Sequence, residues 1–307
     1  MVSSSPRAVP PYVIGIGSQR AGSTLLHRIL AESTPVVMHP LKELHFFDTA
    51  DGVRPIAALH RYCRHLAEAR ASANGSAWRR WRRLGRPPSG ARDQTVARTI
   101  EAFLKCESAQ QVADLDYREL FRPLASDTAV VGEITPEYML LSHEGLRRMH
   151  DTIGADARLI MMRRDPVQRF ISSYYLSKHY LQEQTASPLN ETELLDAVRQ
   201  EPHWVLRQWD FSDYEFALDD YRKVFPHVLD IELEHLVAAP SEVADTLSRF
   251  LDLDVDAAAV ARLVQRKANE GVAFPVSDEV RHEILYKLEL VKALRREAAA
   301  ARAAGDS

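Results

Sequence analysis

Five short runs of apolar residues, separated by stretches with helical spacing, constrain the fold of this chain more than any other feature of its sequence. The runs are Tyr12–Gly17, Val36–Met38, Ala129–Gly132, Leu159–Met162 and Val228–Leu233. Each run is hydrophobic at consecutive positions rather than at alternate ones, which is typical of strands buried on both faces. Parallel strands joined by helices bury both faces of a sheet in this way. We therefore expect an α/β fold with three layers, in which helices flank a central parallel sheet of about five strands and residues 12–16 form a central strand.

The interval from about residue 50 to residue 125 interrupts this alternation of strands and helices. We interpret it as a substrate or lid region inserted into a single domain that covers residues 1–307. Within it, the segment Trp78–Arg86 combines two tryptophans with several arginines and has no acidic residue. Three interpretations of this segment stay open: a solvated loop or a helix that buries both tryptophans, a lid that attracts an anionic acceptor, and a patch that binds nucleic acid.

Composition limits the partners and the compartment of the chain. Its formal net charge of −4 gives no overall attraction to nucleic acid, so that partner is not expected and any anion site must be local. Cys63 and Cys106 form no CxxC pair, and we expect two reduced, partly buried thiols. No stretch approaches the roughly 18 apolar residues of a membrane span. These features predict a cytoplasmic protein and leave its oligomeric state open.

A helix is predicted near the C-terminus, beginning at Ser277–Glu279. Val280, Ile284, Leu288, Val291 and Leu294 follow at helical spacing. We expect this stripe to pack on the core rather than to form a seam between two copies.

The segment that follows the first apolar run has the composition of an anion-binding turn. A turn from a strand into a helix directs several backbone N–H groups to one point, at the positive end of the helix dipole. Arg20 adds a fixed charge, and small neighbouring residues let an anion approach the backbone closely. The alternative is an ordinary turn with a solvated arginine. The candidate ligand-binding residues are Ser18, Gln19, Arg20, Ala21, Gly22, Ser23 and Thr24.

A second candidate anion site follows the fourth apolar run. Pro166 suits the first turn of a helix, and Asp165 can cap that helix. Arg164 at the end of the strand and Ser172 two turns into the helix are placed to grip one phosphate group from two sides. The alternative is a strand end with a solvated arginine and a routine helical serine.

Taken together, four segments resemble sulfotransferases that use 3′-phosphoadenosine 5′-phosphosulfate (PAPS). Gly17–Thr24 is similar to the family's 5′-phosphosulfate loop, and Arg164 and Ser172, with Pro166 between them, are similar to its 3′-phosphate motif. Lys42–Asp48 and Gly132–Tyr138 look like the Glu-x-x-Phe-Phe and Gly-Glu-x-Thr/Ser-Pro-x-Tyr segments of the heparan-sulfate-type and related bacterial members. Arg20 stands where the heparan-sulfate-type members usually carry lysine.

The resemblance implies a P-loop-like fold and the transfer of a sulfuryl group from PAPS to a hydroxyl or amine, with release of 3′-phosphoadenosine 5′-phosphate (PAP). It implies that Glu43 is the general base, with His45 as the second candidate. Lys42 either contacts the sulfuryl oxygens or pairs with Glu43. Lys267 is the candidate for a loop that closes over the 3′-phosphate. No metal ion is expected, because the transferred group carries little charge.

Two other classes of function compete with this interpretation. A P-loop kinase matches the spacing Gly-x4-Gly-Lys-Ser/Thr, but Ser23 stands at the position of the lysine that manages the phosphates with Mg²⁺. A nucleic-acid-binding protein would use Trp78–Arg86. The acceptor has no recognisable code in the sequence, and carbohydrate, lipid, polyketide and other small-molecule acceptors all stay open.

Overall fold

The structure is a computed structural model that describes residues 12–71, 90–181, 190–201, 203–268 and 276–305. In this part of the chain, five parallel strands form one sheet in the order β2–β3–β1–β4–β5. The strands are β1 (Tyr12–Gly17), β2 (Val37–Met38), β3 (Val131–Ile134), β4 (Arg158–Arg163) and β5 (Val228–Glu232). The predicted α/β fold with a central parallel sheet is therefore confirmed, and residues 12–16 lie in the central strand.

The third strand lies two residues further along the chain than its apolar run predicts. The expected run ended at Gly132, whereas β3 continues through Glu133 to Ile134 and pairs Gly15 with Ile134. A charged residue normally ends an apolar run, which is why the sequence pattern stopped early. Here the Glu133 carboxylate accepts hydrogen bonds from side-chain hydroxyls and is fully buried.

Helices cover both faces of the sheet and make up the outer layers. Short 3₁₀ helices are formed by Arg118–Phe121 and Pro136–Leu140. The α-helices are α1 (Ser23–Ser33), α2 (Phe46–Ala50), α3 (Ile56–Ala71), α4 (Gly90–Lys105), α5 (Ala109–Ala113), α6 (His143–Ile153), α7 (Pro166–Leu181), α8 (Glu191–Gln200), α9 (His203–Asp210), α10 (Tyr214–Val224), α11 (Leu233–Ala238), α12 (Pro240–Leu251), α13 (Ala257–Ala268) and α14 (Asp278–Gly305).

Two hydrophobic clusters fill the space between the sheet and these layers. On one face, α1 buries the stripe that its sequence predicts, and α12 and α13 pack beside it. That stripe consists of Leu25, Leu26, Ile29 and Leu30. On the other face, Phe46 and Phe47 are buried in the larger cluster with residues of α3, α4, α6 and α10, so both phenylalanines belong to the core.

The interval from residue 50 to residue 125 is mostly helical where the structure describes it. Leu59, Val96 and Phe103 from its helices are buried in the same cluster as strand residues of the sheet. This interval therefore contributes to the core of the domain, and the substrate or lid role stays a prediction. Cys63 and Cys106 are both buried and are not joined by a disulfide. The segment Trp78–Arg86 lies outside the described residues.

The predicted C-terminal helix is present as α14, and most of its apolar stripe packs as expected. Val280 and Ile284 are buried in a third cluster against α7, α8 and α9, Val291 packs at its margin, and Leu288 is buried as well. The prediction that Leu294 packs on the core is wrong, because its side chain is 56% exposed. Among the helices described, none is both long enough and apolar enough to span a bilayer.

Candidate active site

The sheet order places the candidate loops at one edge. In a parallel sheet, the segments that follow neighbouring strands meet beyond the carboxyl ends of those strands. Central strand β1 pairs with β3 on one side and with β4 on the other, and β2 pairs with β3. The segments after β1, β2, β3 and β4 therefore share this edge. They carry Arg20, Glu43, Thr135 and Arg164 respectively.

The loop after β1 is fixed by its own backbone. The Ser18 N–H donates to the Met162 carbonyl at 2.8 Å, and the Ser18 hydroxyl donates to the Phe211 carbonyl at 2.6 Å. The Ala21 N–H donates to the Ser18 carbonyl at 3.2 Å. These groups hold the loop in shape, so the Ser18 side chain and the amides of Ser18 and Ala21 are engaged within the protein. The sequence pattern could not distinguish them from the other amides of the loop.

Gly22 lies between the loop and α1, in a backbone conformation that favours glycine. Its φ is 99°, in the left-handed region, and an added Cβ would lie 2.9 Å from Leu233 Cδ1. The first N–H groups of α1, at Ser23 and Thr24, lack acceptors within the helix, and the first turn holds no acidic residue. The helix dipole adds partial positive charge at the same place. This turn can therefore bind an anion through Gln19, Gly22, Ser23 and Thr24, of which Thr24 is exposed.

Arg20, Ser172 and Arg164 come together, as the sequence predicts. Arg20 Nε donates to Ser172 Oγ at 3.0 Å, and Arg164 Nη1 donates to the Arg20 carbonyl at 3.3 Å. Asp165 caps α7 by accepting a hydrogen bond from the Gln168 N–H at 2.9 Å. The loop after β1 and the start of α7 thus border one site. Lys267 lies in α13, and its side chain is outside the described part of the chain.

Arg169 is a functional candidate that no motif in the sequence indicates. Its side chain is fully buried, and its guanidinium donates at 2.8–3.1 Å to neutral oxygens. These oxygens belong to Ser173, Gln208 and Ser212. Burial, together with the positive charges of Arg164 and Arg20, lowers the pKa of Arg169 to about 10, against an opposing effect of Tyr214. A buried cation surrounded by neutral acceptors costs free energy unless a negative charge comes near it. The signal in the sequence was an arginine between Val167, Phe170 and Ile171 on an apolar helix face.

A second group of charges follows β2. Glu43 accepts a hydrogen bond from Lys42 Nζ at 3.0 Å and faces His45 Nε2 at 3.4 Å. On its other side, the His45 ring contacts Asp48 through Nδ1 at 2.9 Å. Arg54 bridges Asp48 and Glu137 at 3.2 and 3.3 Å. The structure therefore shows Lys42 paired with Glu43, which was one of the two arrangements that the sequence left open.

The charges of this group decide the protonation of its members. Burial lowers the pKa of His45, but Asp48, Glu137 and Glu43 outweigh burial and raise it to about 10. Burial raises the pKa of Glu43, but Lys42 and His45 outweigh it and hold that pKa well below its usual range. At neutral pH His45 is therefore an imidazolium whose two nitrogens face carboxylates, and Glu43 is ionised.

Glu43 and His45 both adopt left-handed backbone conformations, with φ values of 74° and 57°. Such conformations cost L residues about 1–2 kcal/mol each and persist where neighbouring groups enforce them. They let the two charged side chains face each other, with Glu43 Oε2 3.4 Å from His45 Nε2.

Glu43, His45 and Glu137 also offer metal-ligand atoms within 4.8 Å of one another, the one such group in the residues that the structure describes. Lys42, Arg54 and the His45 proton already balance the charge of the surrounding carboxylates. The absence of a catalytic metal stays a prediction.

The chain belongs to the sulfotransferase family, because the family's sequence profile matches residues 11–257. It is thus a member of a transferase family. No curated protein sequence matches the chain significantly.

Solved bacterial structures share the fold. A sulfotransferase from Alicyclobacillus acidocaldarius is 21% identical, with a TM-score of 0.51 over 92% of this chain and 95% of that one. The sulfotransferase domain of the Synechococcus PCC 7002 olefin synthase is 16% identical, with a TM-score of 0.50 over 94% and 98%. Sulfotransferase STF9 from Mycobacterium avium is 16% identical, with a TM-score of 0.51 over 96% and 77%. At these identities, the likeness shows the fold alone.

Proposed function

We propose that the chain transfers a sulfuryl group from PAPS to a hydroxyl or amine of an acceptor. The observation that carries the proposal is the pairing of two centres on one edge of the sheet. One centre gathers Arg20, Arg164, Ser172 and the buried Arg169. The other presents an ionised Glu43. An anionic donor and a proton acceptor are what sulfuryl transfer requires.

In this proposal, the two ends of PAPS occupy the two halves of the first centre. The amides of the first turn of α1 and the Arg20 guanidinium bind the 5′-phosphosulfate, and Arg164 and Ser172 bind the 3′-phosphate. Arg169 adds positive electrostatic potential from its buried position without contacting the ligand. Arg20 already touches Ser172 Oγ, so its side chain borders both phosphate positions. Planar guanidinium groups suit this role because they bind phosphate oxygens with two parallel donors.

The transfer step is an in-line displacement at sulfur. The acceptor oxygen forms a bond to sulfur as the bond between sulfur and the bridging phosphate oxygen breaks, and PAP leaves with that electron pair. Arg20 and the loop amides stabilise the charge that grows on the leaving phosphate. Glu43 takes the acceptor's proton, and Lys42, which is paired with Glu43, favours the ionised carboxylate that this step needs.

The protonation states favour Glu43 over His45 as the general base. A protonated imidazole with both nitrogens donating to carboxylates has no lone pair for another proton. Glu43 is ionised at neutral pH and partly exposed, so an acceptor can reach it. Its depressed pKa makes it a weak base. It therefore takes the proton late in the displacement, when the acceptor oxygen has become acidic by bonding to sulfur.

The acceptor is a carbohydrate, a lipid or another small molecule, and the cytoplasmic location expected from the sequence stays a prediction. The test uses labelled PAPS with pools of each acceptor class, in the presence of EDTA. Label in an organic product supports the proposal. A protein that fails to bind PAP, or that transfers phosphate from Mg²⁺-ATP instead, contradicts it and favours the kinase interpretation.

A further inference from the structure

The segment that carries Glu43 and His45 depends on contacts outside itself for its shape. Both residues have left-handed backbones, which residues other than glycine rarely adopt. The three N–H groups that follow Glu43, at Leu44, His45 and Phe46, do not join a strand or an earlier helical turn. Their acceptors are therefore the groups that decide where Glu43 and His45 point.

Those acceptors are side-chain hydroxyls that follow β3. Thr135 Oγ1 accepts from the Leu44 N–H at 2.9 Å and from the His45 N–H at 3.3 Å. The Tyr138 hydroxyl accepts from the Phe46 N–H at 3.2 Å. Two hydroxyls thus bind three consecutive N–H groups.

A single buried carboxylate orients both hydroxyls. Thr135 Oγ1 donates its proton to Glu133 Oε2 at 2.8 Å, and the Tyr138 hydroxyl also hydrogen-bonds Glu133. A hydroxyl has one proton to donate. Because that proton goes to Glu133, the lone pairs of each oxygen face the N–H groups of the segment. Tyr117 donates a third hydroxyl, to Glu133 Oε1 at 3.3 Å.

The burial of Glu133 shows that this arrangement is costly. Its side chain has no exposed surface, and burial raises its pKa to about 7, against the opposing effect of hydrogen bonds from Tyr138 and Thr135 and of the His45 charge. A neutral residue of similar size would avoid this cost. Such a residue would not, however, offer the two acceptor oxygens that a carboxylate presents to the hydroxyl protons.

We propose that Glu133 is a positioning residue for Glu43 and His45, which acts through Thr135 and Tyr138 by orienting the hydroxyls that hold the N–H groups of Leu44–Phe46. The inference rests on the proposed function, in which Glu43 takes the acceptor's proton. Glu133 itself touches neither donor nor acceptor and is not a catalytic residue.

A matched pair of tyrosine variants separates positioning from general support of the core. Tyr138→Phe and Tyr117→Phe each remove one buried hydroxyl from Glu133 and keep the ring. Only Tyr138 also contacts the segment N–H groups among the bonds described. We expect kcat to fall about 10- to 100-fold in Tyr138→Phe, since small misplacement of a catalytic group is that costly. In Tyr117→Phe it should change less than about 2-fold, and the affinity for PAP should be unchanged in both.

A second pair of variants tests the threonine. Thr135→Ser keeps the hydroxyl and should keep near-wild-type kcat, whereas Thr135→Val removes it and should lose about 10- to 100-fold. Amide hydrogen exchange provides a readout that does not depend on activity. The exchange of Leu44 and His45 should accelerate in Thr135→Val, and that of Phe46 in Tyr138→Phe.

The outcomes distinguish the two proposals. If the wild-type protein binds no PAP and transfers no sulfuryl group, the proposed function fails, while the exchange data still test the positioning. Equal losses of kcat in the two tyrosine variants, a serine variant as impaired as the valine variant, or unchanged exchange at Leu44–Phe46 would overturn the role of the Thr135 and Tyr138 hydroxyls, and with it the role of Glu133 that acts through them.

Discussion

Replacing Arg164 by alanine tests the 3′-phosphate half of the site most sharply. Arg164 is half-buried beside the Arg20 loop, and burial lowers its pKa, so its charge acts in a medium that screens less than water. Losing one charged hydrogen bond to a phosphate costs about 1.5–3 kcal/mol. The affinity for PAP should therefore fall about 10- to 150-fold.

The neighbouring arginine is a matched control. Arg163 Nη2 pairs with Asp230 at 2.7 Å and with Glu232 at 3.1 Å, across the sheet on β5. Its guanidinium is held by these two carboxylates, and a partly exposed pair of this kind is worth about 0–1 kcal/mol. Arg163→Ala should therefore change PAP affinity less than about 5-fold.

Calorimetric titration with PAP measures both variants, and circular dichroism confirms that each is folded. A folded Arg164→Ala protein with wild-type affinity would refute the placement of the 3′-phosphate. Equal losses in the two variants would show that net charge, rather than a specific contact, governs binding.

Three further predictions concern the chemistry, the charges and the loop. Glu43→Gln should lower turnover about 10²- to 10⁴-fold with PAP affinity nearly unchanged, whereas His45→Asn should cost much less; full activity of the glutamine variant in a sulfuryl-transfer assay would exclude Glu43 as the base. Because the folded-state pKa of His45 is raised from 6.5 to about 10, its stabilising contribution is complete below pH 6.5 and is lost as the pH rises toward about 10. Urea unfolding across this range should show that loss, and His45→Gln should flatten it; a parallel decline in both proteins would argue against the paired imidazolium. Gly22→Ala should destabilise the fold by about 1–3 kcal/mol in urea unfolding, because φ is 99° and the added Cβ would meet Leu233; unchanged stability would show that the turn adapts.

Much of the fold could be predicted because apolar runs directly record which strands are buried on both faces. The exception at β3 is informative. The predicted run ended before Glu133, because a charged residue is not expected inside a buried strand. Glu133 is buried there only because the hydroxyls of Tyr117 and Thr135 donate hydrogen bonds to its carboxylate. A charge that is satisfied by tertiary contacts has no signature in the local pattern of the sequence.

Part of the candidate site could likewise be predicted from the sequence, and part of it could not. Arg20, Arg164 and Ser172 could be found because each follows a strand in a recognisable segment, and strand order then brings them together. Arg169 could not, because a single arginine in a helix usually points to solvent, and its burial depends on packing against Gln208 from α9.

The protonation of His45 also could not be predicted from the sequence. Asp48 is close along the chain, but Glu137 comes from the segment after β3, and only the fold brings its charge near the ring. The contribution of Glu137 to the raised pKa of His45 therefore appears only in the three-dimensional structure.

The measurement that tests the central claim most directly compares the binding of PAP with that of adenosine 5′-phosphate, which lacks the 3′-phosphate. If the chain is built for PAPS, the wild-type protein should bind PAP at least about 10-fold more tightly in calorimetric titrations, the worth of one charged contact. That preference should fall sharply in Arg164→Ala, in which Ser172 is left to bind the 3′-phosphate. Equal affinity of the wild-type protein for the two nucleotides, or no binding of either, would contradict the assignment of PAPS as the donor.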